Sequence, residues 1–190
     1  SLWIFFTIFG TTPLLLSSNN EISIVSAYFE STSGLTTTGA TIYNDLSNEY
    51  KSVLFYRGLL QWIGGLGIIV LAIALMPLLG VGGMQLYRGE IQGPVNQSKL
   101  RPKIAETAKV LLYVYLILTL LCLFSYYLAG MSYFDAIIHS FTTVAIGGFS
   151  NYDQSFAFFD NDLIYLIACL FMFISGISFS LHYLSFSNFK

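Results

Sequence analysis

Hydrophobic positions in this chain come in long unbroken blocks rather than in the alternating or 3.6-residue stripes of a soluble fold. Residues 58–87, 110–134 and 163–189 contain no Asp, Glu, Lys or Arg. Each block exceeds the roughly 20 apolar residues that carry a helix across a bilayer. Residues 1–20 are also free of charge and open as "SLWIFFTIF", with no basic stretch ahead of them. A signal peptide needs a positive start and a small-residue cleavage site, so this segment is expected to be a membrane helix truncated at its N-terminus. The pattern predicts four spans, over about 1–18, 53–79, 106–130 and 162–187. Between the spans lie two shorter apolar pieces, "EISIVSAYFESTSG" and "YFDAIIHSFTT", each followed by a polar, glycine-containing run, "LTTTGAT" and "VAIGGFS". Pieces this short cannot cross, and they suggest re-entrant segments. Non-helical backbone at membrane depth is tolerated only where protein buries it or water reaches it. The expected fold class is an all-α membrane protein made of tandem helix–loop–helix repeats.

Composition sharpens this. Charged residues make up 9% of the chain and hydrophobic ones 55%, and the mean hydropathy is +0.70. A soluble domain carries about 25% charged residues. A net charge of −2 gives no reason to expect nucleic acid as a partner. Cys122 and Cys169 sit inside apolar runs without paired spacing and read as buried hydrophobes. His139 and His182 read as packing or interface residues rather than ligands. "WIGGLGIIV" lacks the spacing of a nucleotide-binding glycine loop, so Gly64, Gly65 and Gly67 are expected to allow close helix packing. No nucleophile–base arrangement, paired carboxylates or metal cluster emerges, and the chain is not expected to be an enzyme.

Charge placement orients the spans. Arg88, Lys99, Arg101, Lys103 and Lys109 occupy or flank the linker "LYRGEIQGPVNQSKLRPK", whose Gly-Pro and Arg-Pro steps mark it as partly non-helical. A short basic linker is cytoplasmic under the positive-inside rule. The chain then divides into a first repeat over 1–79, a cytoplasmic linker over 80–105 and a second repeat over 106–190. The two longer connections face outward and hold or border eight of the ten acids. Superposing Gly39 on Gly147 brings the short helices of the two copies into near register, 108 residues apart. Arg57 enters the second span from the outside, where a lone charge is expensive, and Glu30 on the first short helix is its expected partner, bracing the loop. A glycine-broken loop at membrane depth has a physical use, since a cation can cross only if oxygens replace its water shell. Glycine lets successive carbonyls aim inward, and threonine adds a hydroxyl.

The runs "FESTSGLTTTGAT", "RGLLQWIGGLGIIVLAIALMPLLGVGGMQLYRGE", "KLRPKIAETAK" and "IHSFTTVAIGGFS" resemble the membrane subunits of bacterial Trk potassium uptake systems (TrkH and TrkG), within the TrkH/KtrB/HKT superfamily. The resemblance runs essentially end to end. It implies a potassium-channel-like fold of four helix–pore loop–helix repeats around a pseudo-fourfold axis, of which this chain is similar to the first two, half of a pore. It further implies K+ uptake through a filter of backbone carbonyls: Thr37, Thr38 and Gly39 in the first loop, flanked by Thr36 and Ala40, and Ala145, Ile146 and Gly147 in the second, flanked by Val144 and Gly148. Threonine is frequent in the family where Ile146 stands, so a hydroxyl contact would be missing there. In plant relatives a serine at the first filter glycine tends to accompany sodium transport, so the resemblance implies that Gly39 favours potassium. The remaining two repeats, a homodimer, a TrkA-type cytoplasmic nucleotide-binding regulator and a bacterial inner-membrane location are implied in the same way, with no cofactor beyond the transported K+. The alternatives are a two-repeat cation channel, a sodium-conducting relative, and a non-conducting membrane scaffold or receptor.

Overall fold

The computed structural model describes residues 2–17, 22–79 and 97–177, with side chains over 3–16, 22–67 and 109–177. Every regular element among these residues is a helix: α1 (Leu2–Ser17), α2 (Ile24–Leu35), α3 (Lys51–Leu79), α4 (Gln97–Leu128), α5 (Tyr133–Val144) and α6 (Asp162–Gly176), with short 3₁₀ turns at Leu46–Asn48 and Ser155–Phe159. Local chemistry sets the starts of the short helices. Ser23 caps α2 by accepting from the Ser26 amide at 3.1 Å, and Ser132 caps α5 by accepting from the Asp135 amide at 3.1 Å. Each satisfies one of the first-turn donors that a helix leaves open.

The helices pack as two similar triplets, α1–α2–α3 and α4–α5–α6, with α3 also lying against α4 and α5. One apolar cluster joins Leu14, Ala27, Tyr43, Leu46 and Val53 to Ile138 of the other triplet. A second gathers Tyr115, Cys122, Tyr126, Ala136, Ile164 and Phe171. Small residues on α3 make the close approach possible. A β-carbon at Gly64 would run into the Leu35 carbonyl, and one at Gly65 would lie 2.8 Å from the Tyr115 hydroxyl and 3.1 Å from the Ala145 β-carbon. Gly67 is different: a β-carbon there would meet the Trp3 ring at an ordinary 3.5 Å.

Several expectations need correction. The last described helix ends at Gly176, with Ile177 extended, and the expected continuation of this span to about 187 lies outside the described residues. Glycine is the poorest helix former after proline, and the Ile177 amide turns back to the Ile174 carbonyl at 3.2 Å. Residues 178–190, including His182 and Lys190, lie outside the described residues. Helix α4 begins at Gln97, so the Arg101–Pro102 step lies inside a helix and not in an irregular linker. A proline this close to a helix start removes one hydrogen bond near its frayed end. Arg88 falls outside the described residues. Cys169 is exposed, unlike buried Cys122, because it faces away from α4 and α5.

Among the described residues, Lys109–Leu128 is the one stretch long and apolar enough to cross a membrane by length and composition, and Trp3–Leu16 and Asp162–Gly176 are shorter apolar helices. Many large apolar side chains stand on the outward faces, with Leu16 81%, Val25 78% and Phe173 76% exposed. An apolar surface this extensive is foreign to a water-soluble monomer.

The packing of α3 makes a direct prediction. Gly64→Ala should destabilise the full-length protein by about 1–3 kcal/mol, the usual cost of overpacking. Gly67→Ala should lie within about 0.5 kcal/mol of wild type, as substitutions clear of such crowding usually do. Thermal unfolding in detergent would separate the two.

Candidate functional site

The two short helices end in the same way, residue for residue. After α2 the Thr37 amide donates to Gly34 O at 3.0 Å and the Thr38 amide to Ser33 O at 2.9 Å. After α5 the Ile146 amide donates to Thr143 O at 3.0 Å and the Gly147 amide to Thr142 O at 2.8 Å. This is the paired closure of a Schellman helix end, whose reversing residue is left-handed and most often glycine. Here that residue is Thr37 (φ 54°) in one copy and Ile146 (φ 53°) in the other. A β-branched side chain in this region is a genuine outlier and costs about 1–3 kcal/mol, sustained only where the surroundings over-determine it. Two residues on, Gly39 (φ 80°) and Gly148 (φ 84°) again match.

These pairs, like Leu35 with Val144 and Ser23 with Ser132, are 109 positions apart. The structural register is therefore one residue away from the superposition of Gly39 on Gly147. Gly148 is the counterpart of Gly39, and Gly147 is the counterpart of Thr38. The slip arose because two adjacent glycines offered two superpositions, and only backbone conformation distinguishes them.

The same register extends behind the loops. Glu30 and His139 occupy equivalent, fully buried positions, and each holds the equivalent hydroxyl of its own loop. Thr41 Oγ1 donates to Glu30 Oε1 at 2.9 Å, and Ser150 Oγ is 2.9 Å from His139 Nε2. In turn the Tyr43 amide donates to Thr41 Oγ1 at 3.1 Å and the Tyr152 amide to Ser150 Oγ at 3.2 Å. His139 Nδ1 lies 2.9 Å from the Asp135 carbonyl. A carbonyl only accepts, so Nδ1 carries the proton and neutral Nε2 accepts from Ser150. Both ring nitrogens are thereby satisfied, and among the described residues there is no His/Cys/Asp/Glu cluster able to hold a metal ion.

Arg57 ties the two copies together. Its Nε donates to Glu30 Oε1 at 2.7 Å, Nη2 to Thr41 Oγ1 at 2.9 Å and Nη1 to the Ser150 carbonyl at 3.1 Å. The guanidinium is 1% exposed and lies 4.3 Å from the Phe149 ring centroid and 5.1 Å from that of Tyr43. Glu30 Oε2 also accepts from the Ile42 amide at 3.0 Å. One turn further along α3, Gln61 Oε1 accepts from the Phe149 amide at 3.0 Å. The Gln61 side-chain amide occupies the place where a β-carbon at Gly147 would project, and the Gly147 carbonyl occupies the corresponding place at Gly39. The two loops thus meet backbone to backbone.

Further out, Asp135 accepts from Asn151 Nδ2 at 2.8 Å and from the Tyr152 hydroxyl at 3.1 Å. Burial and the adjacent Asp135 carboxylate push the Tyr152 phenol up to about 12, so it stays a hydrogen-bond donor at physiological pH. Asp153 Oδ1 accepts from the amides of Asp45 and Leu46 at 3.1 and 3.2 Å, linking the outer ends of the loops. Between them opens a cavity of about 290 Å³ bordered by Gly39, Thr41, Asn44, Gly148 and Asp153.

The residues expected from the sequence are largely brought together here. Thr36 and Thr38 share a 2.7 Å hydroxyl contact, Ala40, Ile146 and Gly148 are exposed, and Glu30 meets Arg57. Val144 and Ala145 are buried at the base of the second loop. Sequence reasoning missed Thr41, Gln61, Asp135, Ser150 and Asn151. The 109-residue register, had it been found, places Thr41 over Ser150 and would have exposed that pair.

The arrangement is that of a membrane protein built from repeated helix–re-entrant loop–helix units. The family of cation transport proteins designated TrkH matches residues 1–190, and this chain belongs to that family. It is 55% identical over 179 residues to the Trk system potassium uptake protein TrkH of Vibrio parahaemolyticus, covering 94% of this chain and 37% of that relative. It is 51% identical over 183 residues to TrkH of Escherichia coli, covering 95% and 38%, and 44% identical over 186 residues to TrkG of the same organism, covering 98% and 38%. The crystal structure of the potassium transporter TrkH from Vibrio parahaemolyticus superposes with a TM-score of 0.85 at 47% identity, over 98% of this chain and 36% of that one. The chain thus spans well under half the length of these relatives and is an all-α membrane protein.

The buried ion pair can be tested by a double-mutant cycle. Glu30→Gln and Arg57→Gln should each cost about 3–5 kcal/mol, because each strands a buried charge. The double variant should cost clearly less than the two together, with a coupling energy of about 2 kcal/mol. Simple additivity in detergent unfolding would show that the two side chains do not act as a pair.

Proposed function

We propose that this chain forms two quarters of a cation-conducting pore that carries potassium into the cell. The observation that carries this reading is the matched pair of strained helix-end reversals, Thr37 and Ile146, that turn two re-entrant loops to face one another. Potassium must shed its water shell to pass, and a ring of backbone carbonyls can replace it. Thr37, Thr38 and Gly39 line one quadrant, with Thr36 at the inner end. Of the expected Ala145, Ile146 and Gly147, the 109-residue register makes Ile146 and Gly147, together with Gly148, the counterpart of that quadrant, and sets Ala145 at the inner end as the partner of Thr36. The C-terminal, partly negative ends of α2 and α5 point at the place where the cation would rest.

Carbonyl coordination does not depend on the side chain, so Ile146 is compatible with the role. Its left-handed backbone matches that of Thr37 in spite of the lost hydroxyl. The names of the relatives support potassium as the cargo. With two quadrants present, the other two repeats of a longer chain complete the ring. On this reading the protein lies in the bacterial inner membrane, the loops enter from outside, and the basic linker over 80–105 faces the cytoplasm. Assembly as a homodimer and control by a TrkA-type nucleotide-binding subunit on the linker side complete the proposal.

The test uses the intact gene in bacteria that lack their own potassium uptake systems. Wild type should restore growth at low potassium, while Gly39→Asp and Gly148→Asp should fail at normal membrane levels. A β-carbon at Gly148 meets nothing within 4 Å, so failure there reflects the ion path and backbone conformation rather than a steric clash. Growth of both variants at wild-type rate would show that the loops are not a filter. A wild type that takes up sodium but not potassium would favour the sodium-conducting alternative.

A further inference from the structure

The two loops are held by different means. In the first loop, Thr36 Oγ1 donates to the Thr32 carbonyl at 2.7 Å and contacts Thr38 Oγ1 at 2.7 Å. At the matching positions of the second loop stand Ala145 and Gly147, which have no hydroxyl to offer. Gln61 takes over that work from the other repeat. Its side chain is fully buried, its Oε1 accepts from the Phe149 amide at 3.0 Å, and its Nε2 has no hydrogen-bond partner among the described residues.

The orientation of one peptide follows. In a planar trans peptide the N–H and C=O point in opposite directions, and no peptide here is cis. With the Phe149 N–H fixed on the α3 wall, the Gly148 carbonyl is turned away from that wall, toward the open side where Gly148 itself is exposed. The second loop has glycine at 147, where the first has threonine, because the Gln61 amide fills the space a side chain would need. Counted from their first residues, Lys51 and Asp162, α3 and α6 place Met172 opposite Gln61 and Ala168 opposite Arg57. The device is therefore particular to α3.

We propose that Gln61 is a specificity-determining positioning residue: by holding the Phe149 amide it fixes the Gly148 carbonyl in the second filter quadrant and so sets the ion discrimination of a loop in the neighbouring repeat. This rests on the pore reading above. Gln61 acts through the backbone of residues 148 and 149 and does not itself touch the ion.

The experiment measures rubidium uptake and its inhibition by sodium in cells or vesicles carrying the full-length protein. Gln61→Leu leaves an aliphatic side chain of comparable bulk, one atom shorter, and removes the acceptor. Gln61→Glu keeps an acceptor oxygen whether or not it is ionised. Replacing Phe149 by its α-hydroxy acid analogue, through nonsense suppression, removes the N–H and leaves every side chain in place. Because the ester also weakens the Gly148 carbonyl as an acceptor, the same replacement is made in the Gln61→Leu background, where it should cost clearly less than in wild type. Gln61→Leu and the ester variant should each lose at least tenfold in rubidium-over-sodium discrimination while still passing cations, and Gln61→Glu should stay within about threefold of wild type. Discrimination unchanged in the ester variant overturns the proposal, whatever Gln61→Leu does, including failure to insert. Loss of discrimination in Gln61→Glu equal to that in Gln61→Leu also overturns it. Wild-type rubidium uptake that is absent, or indifferent to Gly39→Asp, would instead overturn the pore reading itself.

Discussion

A guanidinium buried to 1% exposure inside a membrane protein constrains everything around it. Charge in such a setting is expensive unless it is paired and hydrogen-bonded. Arg57 meets that condition with a carboxylate, a hydroxyl, a backbone carbonyl and two aromatic faces, drawn from α2 and both re-entrant loops. Because its partners come from both repeats, neither loop can move far without stranding the charge. The apolar packing places the helices to within the reach of side chains, and the Arg57 cluster then sets the loops relative to each other.

That rigidity makes sense of the backbone strain. Two β-branched residues stand in left-handed conformations where glycine is usual. They persist because each reversal is closed by two backbone hydrogen bonds and backed by a tethered hydroxyl, Thr41 on Glu30 and Ser150 on His139. The chemistry of the tether differs between the repeats while its geometry is kept. An anion balances Arg57 in one copy, and a neutral imidazole with a fixed tautomer serves in the other. The arrangement puts one buried acid beside one buried base, where a second carboxylate at position 139 would have left a charge without a partner.

The fold was legible in the sequence because it rests on the longest-range pattern, uncharged blocks separated by two short apolar pieces. The Glu30–Arg57 pair was legible too, since an isolated charge near a span demands a partner. The register between the loops was not. Gly147 and Gly148 are adjacent, and a string of letters cannot show that one is glycine for its positive φ and the other for the room it leaves to Gln61. The start of α4 was missed because a proline near a helix terminus breaks or continues the helix according to hydrogen bonds that only three-dimensional context supplies. Gln61, Asp135 and Asn151 carried no signal at all: each is an ordinary polar residue whose importance comes from what lies opposite.

The central claim is that the Thr37–Gly39 and Ile146–Gly148 segments are equivalent quadrants of one cation path. Anomalous scattering from crystals of the full-length protein grown in rubidium or thallium tests it most directly. The account predicts an anomalous peak between the two segments, within coordinating distance of backbone carbonyls from both, with Gly148 rather than Gly147 taking the position equivalent to Gly39. Well-ordered loops without a peak, alongside a cation bound elsewhere in the protein, would contradict it.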